Sequence, residues 1–117
     1  MAQTTHVIRL EVDVERDVHR FLPARVTARP GDVLVFRVTS GAPHAIAFEP
    51  AGLSAGSRAA LQAALPEARA DLQGPVLVDN DAEYRMVVPR LPPGSYRFYS
   101  SPHRAYDMRG ELTISEK

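Results

Sequence analysis

The sequence predicts an all-β protein, a Greek-key sandwich of two sheets with one short helix. Three observations indicate this fold. Short runs of alternating apolar and polar residues recur along the chain, turns rich in proline and glycine separate them, and one stretch in the middle is typical of a helix. The 117 residues suffice for one compact domain with a core, so the expected domain spans residues 1–117.

The first half of the chain contains the predicted strands that precede the helix. In the first of them, apolar residues alternate with charged ones, as in a half-buried strand. The turn Arg29–Asp32 combines a proline, which presets φ, with a glycine, which accepts a positive φ. The predicted extended segments are His6–Val14, Phe21–Pro23, Arg25–Ala28, Val33–Val38 and His44–Phe48.

In the middle of the chain, the alternating strand pattern gives way to a helical one. Helix formers run from Ser57 to Leu65, with Ser57 as the expected N-cap and Pro66 as the end of the helix. Leu61 and Leu65 fall on one face, which predicts packing against a sheet. The next residues, 68–74, predict an irregular turn. The later predicted strands are Pro75–Val78, Glu83–Val88, Ser95–Ser100 and Glu111–Ser115.

Charge and composition exclude several classes of protein. The 14 basic and 14 acidic residues cancel, so nothing indicates nucleic acid or an anionic membrane as a partner. The chain has no cysteine, which excludes disulfides and thiolate metal sites. Apolar runs such as Val33–Phe36 are too short to span a membrane. No signal peptide is visible after Met1, as expected of a cytoplasmic protein or of a mature form.

The stretch Tyr96–Gly110 is the most informative part of the chain. An aromatic strand ends there in Ser100, and His103 and Met108 follow at offsets of three and eight. His44 lies far upstream, after a proline. Together with the Pro-Gly-Asp turn at 30–32 and the Pro-Pro-Gly turn at 92–94, these motifs resemble those of the plastocyanin-type cupredoxins, the small blue-copper electron carriers. The resemblance covers most of the chain from residue 29 onward.

The resemblance implies a ligand set for one copper ion. His44 and His103 would be the two imidazole ligands and Met108 the weak axial thioether, and Ser100 occupies the place of the thiolate. A blue-copper centre has two imidazoles and a thiolate in a trigonal plane with a long axial sulfur bond. The predicted sandwich must therefore bring His44 beside the loop that follows Ser100.

Ser100 departs from the family pattern, because a neutral hydroxyl is a poor copper ligand where a thiolate is a strong one. We therefore expect no blue colour. Three outcomes stay open: a site that has lost its metal, a harder site for Cu(II) or Zn(II) through imidazoles and water, or a Cu(I) site of imidazoles and thioether. Asp107 replaces the glycine usual before the methionine and adds a carboxylate. A natural loss of cysteine and a deliberate replacement fit this sequence equally.

The resemblance implies one-electron transfer between redox partners, so we expect a copper-binding protein of the electron-transfer type with an altered site. We do not expect an enzyme, since Ser100 and His103 lack the orienting acid and oxyanion hole of a catalytic triad. Two alternatives stay open: a module that stores Cu(I) or passes it to a copper-handling partner, and a metal-free structural or interaction domain. The resemblance implies a periplasmic or other extracytoplasmic location, whereas the residues alone also fit the cytoplasm.

Two further histidines have ordinary structural explanations. His6 falls on the apolar face of the first predicted strand, where we expect a hydrogen-bonded or edge histidine. His19 lies in a charged stretch, where we expect a solvated surface residue.

Overall fold

The computed structural model describes residues 3–68, 72–102 and 108–115. His103 and Asp107 lie outside the described residues. The described residues form eight strands and one helix, five strands before the helix as predicted and three after it instead of the predicted four. Their bounds are β1 Thr5–Asp13, β2 Val18–Leu22, β3 Arg25–Ala28, β4 Val33–Val38, β5 Ile46–Phe48, α1 Ala55–Ala64, β6 Glu83–Val87, β7 Gly94–Ser100 and β8 Arg109–Ile114.

The strands form two four-stranded sheets. The first sheet has the order β2-β1-β4-β6 and the second has the order β3-β8-β7-β5. Each sheet is mixed, because β1 runs parallel to β4 and β3 runs parallel to β8, while the other neighbours are antiparallel. The predicted all-β, two-sheet sandwich with one short helix is therefore confirmed. No helix among the described residues is long and apolar enough to cross a membrane.

Four phenylalanines form the centre of the core between the sheets. Phe98 on β7 is fully buried, and its ring meets Phe21, Phe36 and Phe48 edge-on at centroid distances of 4.9, 5.3 and 5.8 Å. Such edge-to-face pairs add to the stabilisation from burial alone. Gly110 on β8 makes room for this arrangement, because a Cβ there would lie 2.3 Å from the Phe98 ring.

The helix begins earlier than the sequence predicts. Its N-cap is Ser54, whose Oγ accepts a hydrogen bond from the Ser57 N–H at 3.1 Å. The predicted cap, Ser57, is instead a buried residue in the first turn. Both serines suit an N-cap by type, and the extended backbone of Ser54, with φ of −68° and ψ of 160°, decides between them.

Two other expectations are wrong. Residues 75–78 form no strand, and only Leu77 makes an isolated bridge, to His44. His19 is not solvated, because its side chain is 9% exposed. It lies opposite Val12 in the β1–β2 pairing, and the alternation along β2 places it on the same face as the buried Phe21. For His6 the expected partner exists: its Nε2 lies 3.0 Å from Asp32 Oδ2.

Asp32 connects the start of β1 with the turn before β4, at the end of β4 that lies away from His44. Its carboxylate accepts hydrogen bonds from the His6 ring, the Arg29 N–H and the Thr4 N–H at 3.0, 3.1 and 3.2 Å. The hydrogen bond from His6, followed by that from the Arg29 backbone, lowers the pKa of this carboxyl below its usual 3.8. A carboxyl with a lowered folded-state pKa stabilises the fold above its unfolded pKa and loses that contribution as pH falls through the folded pKa.

We therefore expect acid to destabilise the protein partly through Asp32. The free energy of unfolding should decline as pH falls below about 5, and Asp32→Asn should flatten that decline. At pH 7 this variant should lose about 1–3 kcal/mol, because an amide is a weaker acceptor for three donors. Urea unfolding from pH 3 to 7 measures both effects. The control Asp81→Asn removes a carboxylate that is 81% exposed and should keep the wild-type slope. An unchanged slope in Asp32→Asn would contradict this assignment.

Candidate metal centre

The backbone of His44 is held in the interior by a pair of hydrogen bonds to Leu77. Its N–H donates to the Leu77 carbonyl at 3.0 Å, and its own carbonyl accepts from the Leu77 N–H at 2.6 Å. The residue is fully buried, two positions before β5 begins. A buried imidazole requires hydrogen-bond partners for its nitrogens, and both ring nitrogens of His44 have them.

The hydrogen bonds of the His44 ring assign its tautomer. Nε2 lies 3.0 Å from the carbonyl oxygen of Ser40. Since a carbonyl only accepts, Nε2 carries the proton, and in the neutral ring the lone pair is on Nδ1. Nδ1 lies 2.9 Å from Ser100 Oγ, so the Ser100 hydroxyl donates to it. The ring thus directs its unprotonated nitrogen at Ser100, the residue in the predicted thiolate position.

Ser100 ends β7 and faces the interior. It pairs with Ile46 across the antiparallel β5–β7 ladder and is fully buried. Its N–H donates to the Met108 carbonyl at 3.2 Å, and the fully buried Met108 precedes β8. The structure therefore brings the side chains of His44 and Ser100, 56 residues apart in sequence, into contact, and Met108 adjoins Ser100 through its backbone. The fourth predicted site residue, His103, falls outside the described part of the chain.

The donors at this site are neutral. The Ser100 hydroxyl and the Met108 thioether carry no charge, and the His44 imidazole is neutral in the tautomer with an unprotonated Nδ1. Within residues 3–68, 72–102 and 108–115, no three side chains of His, Cys, Asp or Glu cluster as metal ligands usually do. This donor set suits a soft ion better than a hard one.

The observed spacing allows metal binding only if the site opens slightly. Bonds of about 2.1 Å to nitrogen and oxygen at a tetrahedral angle would place these two atoms about 3.4 Å apart. His44 Nδ1 and Ser100 Oγ are 2.9 Å apart. An ion bound by both must therefore separate them by about half an ångström and replace their hydrogen bond. The required change is small, so the described residues fit a metal coordinated by His44 Nδ1.

Sequence reasoning missed Ser40, which binds the second nitrogen of the His44 ring. Its position four residues before His44 gives no signal, because the contact uses a backbone carbonyl that every residue has. The contact depends on how the loop from 39 to 43 turns back over the ring.

Sequence reasoning also missed that Gly52–Gly56 matches the letters of a hydrolase nucleophile elbow, Gly-x-Ser-x-Gly. The structure gives its serine another role. Ser54 caps α1 and bonds to Ser57, and no histidine is among the described residues that line the groove beside it. The described contacts therefore give Ser54 a structural role as the cap of α1.

The mixed two-sheet sandwich, with a buried histidine facing the end of an aromatic strand, defines the chain as a cupredoxin. A family model described as "Copper binding proteins, plastocyanin/azurin family" matches residues 8–115. The chain belongs to this family. The resemblance inferred from the Pro-His and loop motifs is therefore confirmed. The chain departs from the family pattern at Ser100, since it contains no cysteine that could supply a thiolate.

Plastocyanins are among the similar proteins. Plastocyanin of Dryopteris crassirhizoma is 27% identical over 106 residues, which cover 91% of this chain and 98% of that protein. The chloroplastic minor isoform from Arabidopsis thaliana is 31% identical over 98 residues, and the match spans 50% of its length. The solved structure of oxidised Dryopteris crassirhizoma plastocyanin superposes with a TM-score of 0.72 at 26% identity, covering 94% of this chain and 100% of that one.

More distant solved structures share the fold alone. A reduced Cu(I) amicyanin variant has a TM-score of 0.64 at 16% identity and covers 98% of this chain and 86% of its own. A pseudoazurin from Sinorhizobium has a TM-score of 0.62 at 18% identity, and the match covers 97% of this chain and 76% of the pseudoazurin chain.

Proposed function

We propose that this chain is a non-blue copper-binding cupredoxin that holds Cu(I) in preference to Cu(II). His44 Nδ1 and Met108 supply donors from the described part of the chain, His103 is the second imidazole on the basis of the sequence, and Ser100 occupies the thiolate position. The orientation of the His44 ring carries this proposal. Its Nε2 proton is bound to a carbonyl, which leaves Nδ1 as the coordinating nitrogen inside a buried site.

The preference for Cu(I) follows from the charge of the donors. Burying an ion costs free energy that rises with the square of its charge, and a thiolate would offset much of that cost for Cu(II). Ser100 offers no such charge, and Met108 adds a soft thioether that suits Cu(I). We therefore infer that copper bound here stays reduced, which favours holding or passing Cu(I) over rapid electron transfer.

A second candidate function, a metal-free interaction domain, is favoured by one observation. The hydrogen bond between His44 and Ser100 gives both buried side chains a partner within the protein. A buried polar pair that is satisfied in this way has no need of an ion. Copper must therefore bind strongly enough to replace this bond if the first proposal holds.

Titration with Cu(I) and with Cu(II), each against a competing chelator, tests the proposal. We expect wild type to bind one Cu(I) more tightly than Cu(II), and His44→Gln to weaken Cu(I) binding more than about 100-fold, because changes to outer partners alone cost about 10- to 100-fold. His6→Gln is the matched control, since it removes an imidazole at the other end of β4. Wild-type affinity no higher than that of His44→Gln would favour the metal-free domain.

A second pair of variants tests the role of the thioether. Met108→Leu keeps the volume of a fully buried side chain, so it should cost less than about 1.5 kcal/mol of stability. We expect it to weaken Cu(I) binding about tenfold or more while changing Cu(II) binding less. Met86→Leu makes the same change in an equally buried position on β6. Equal effects of the two changes on Cu(I) affinity would exclude Met108 as a ligand.

We also propose a protein partner that exchanges copper or electrons with this site, and no enzymatic activity. Tight Cu(I) binding without a reversible redox couple in voltammetry would support copper handling, whereas a reversible couple would support electron transfer. Two plastocyanin relatives are named as chloroplastic, and for this chain we propose the extracytoplasmic location that the resemblance to cupredoxins implies.

A further inference from the structure

Ser40 continues the pairing of β1 and β4 beyond the end of β4. The ladder ends with Leu10 beside Val38. Beyond it, the Leu10 carbonyl accepts from the Thr39 N–H at 3.0 Å and from the Ser40 N–H at 3.3 Å. Ser40 then reaches further along β1, because its Oγ accepts from the Val12 N–H at 2.9 Å. The same hydroxyl donates to the Val12 carbonyl at 3.2 Å. One side chain therefore satisfies both backbone groups of Val12, as a neighbouring strand would.

The next residue, Gly41, also holds the loop close to β1. Gly41 has a φ of +76°, and a Cβ there would lie 2.3 Å from Val12 Cγ2. The backbone of this loop thus approaches β1 as closely as a residue without a side chain allows. Two neighbouring residues, Ser40 and Gly41, hold the loop against the same position of β1.

The bond between the Ser40 hydroxyl and Val12 affects His44 through the backbone of Ser40. The carbonyl that accepts the His44 Nε2 proton belongs to the residue whose hydroxyl is bound to Val12. The direction of the carbonyl follows from the placement of Ser40, and its direction decides which ring nitrogen keeps the proton. Loss of the hydroxyl would free the loop, and the His44 ring could then place its proton on Nδ1.

We propose that Ser40 is a positioning residue of the candidate metal centre, through which β1 sets the tautomer of His44. The link to copper rests on the proposed function, whereas the tautomer is a property of the metal-free protein. Ser40 would act by keeping the Nδ1 lone pair directed at Ser100, ready to coordinate an ion. Proton loss from Nδ1 would otherwise add to the cost of binding.

Nitrogen-15 spectra of histidine in the metal-free protein report the tautomer directly. We expect wild-type His44 to carry its proton on Nε2, and Ser40→Ala to show a substantial Nδ1–H population. Cu(I) affinity should fall about 10- to 100-fold in this variant, as for other outer partners of metal ligands. Ser40→Thr retains the hydroxyl and should restore both properties.

Thr39→Val is the matched control. It removes another hydroxyl of the same loop that bonds to β1, Thr39 Oγ1 to the Leu10 carbonyl at 2.9 Å, but one that has no bond to His44. We expect it to lower thermal stability about as much as Ser40→Ala and to leave the tautomer and Cu(I) affinity unchanged.

The tautomer of His44 and the copper affinity of the wild type can be measured separately, so the positioning role of Ser40 and the proposed function can fail independently. A Ser40→Ala protein with the wild-type tautomer and a mere loss of stability would overturn the positioning role, even if the wild type binds copper. A shifted tautomer in Ser40→Ala, together with a wild type that binds no copper, would uphold the positioning role and overturn the proposed function.

Discussion

Replacing Ser100 with cysteine should turn a colourless copper complex into one with an intense visible absorption band. The substituted sulfur would occupy a fully buried position that faces His44 Nδ1. Copper lowers the pKa of a thiol and binds the thiolate strongly, and the charge transfer between them produces the colour. Affinity for Cu(II) should rise more than about 100-fold, which exceeds the usual effect of outer partners.

Visible spectra and chelator competition measure this change. Ser57→Cys is the matched control, because it adds a thiol at another buried serine, in α1, 6% exposed. We expect that variant to stay colourless with Cu(II). The double variant Ser100→Cys with His44→Gln should lose the band. A folded Ser100→Cys protein that remains colourless with Cu(II) would contradict the ligand arrangement proposed here.

Phe98→Ala should cause the largest loss of stability among single core substitutions. The ring is fully buried, and its edge-on contacts join strands from both sheets, at 4.9 Å from Phe21 on β2 and 5.8 Å from Phe48 on β5. Removing a buried phenylalanine ring costs about 3–5 kcal/mol, against a total stability of about 5–15 kcal/mol for a typical domain. Since β7 also carries Ser100, copper binding should weaken as well.

Urea unfolding measures the loss. Val87→Ala, at a position that is 53% exposed, is the control and should cost less than about 0.5 kcal/mol. A cost for Phe98→Ala similar to that of the control would mean that the ring is not the centre of the core. Filling Gly110 with alanine should also destabilise, because the added Cβ would meet the Phe98 ring.

The fold was predictable where the local pattern and the tertiary environment agree. Alternation marked β1, and the Pro-Gly turn at 30–31 marked the entry to β4. Prediction failed where the same local sequence is compatible with two structures. Ser54 and Ser57 both suit an N-cap, and His19 sits among charged residues although its pairing with Val12 directs it inward. Short charged strands give a weak periodic signal, so their faces depend on register.

The sequence by itself determined the class of protein and the chemistry of the donors. The residue types at 44, 100, 103 and 108, with the turns around them, indicate a copper-loop cupredoxin in which a hydroxyl replaces the thiolate. Tertiary structure alone decided how His44 is held. Its two ring nitrogens meet Ser40 and Ser100, partners 4 and 56 residues away. Such contacts depend on how two sheets and a loop are placed in space, and the spacing of residues along the sequence does not determine that placement.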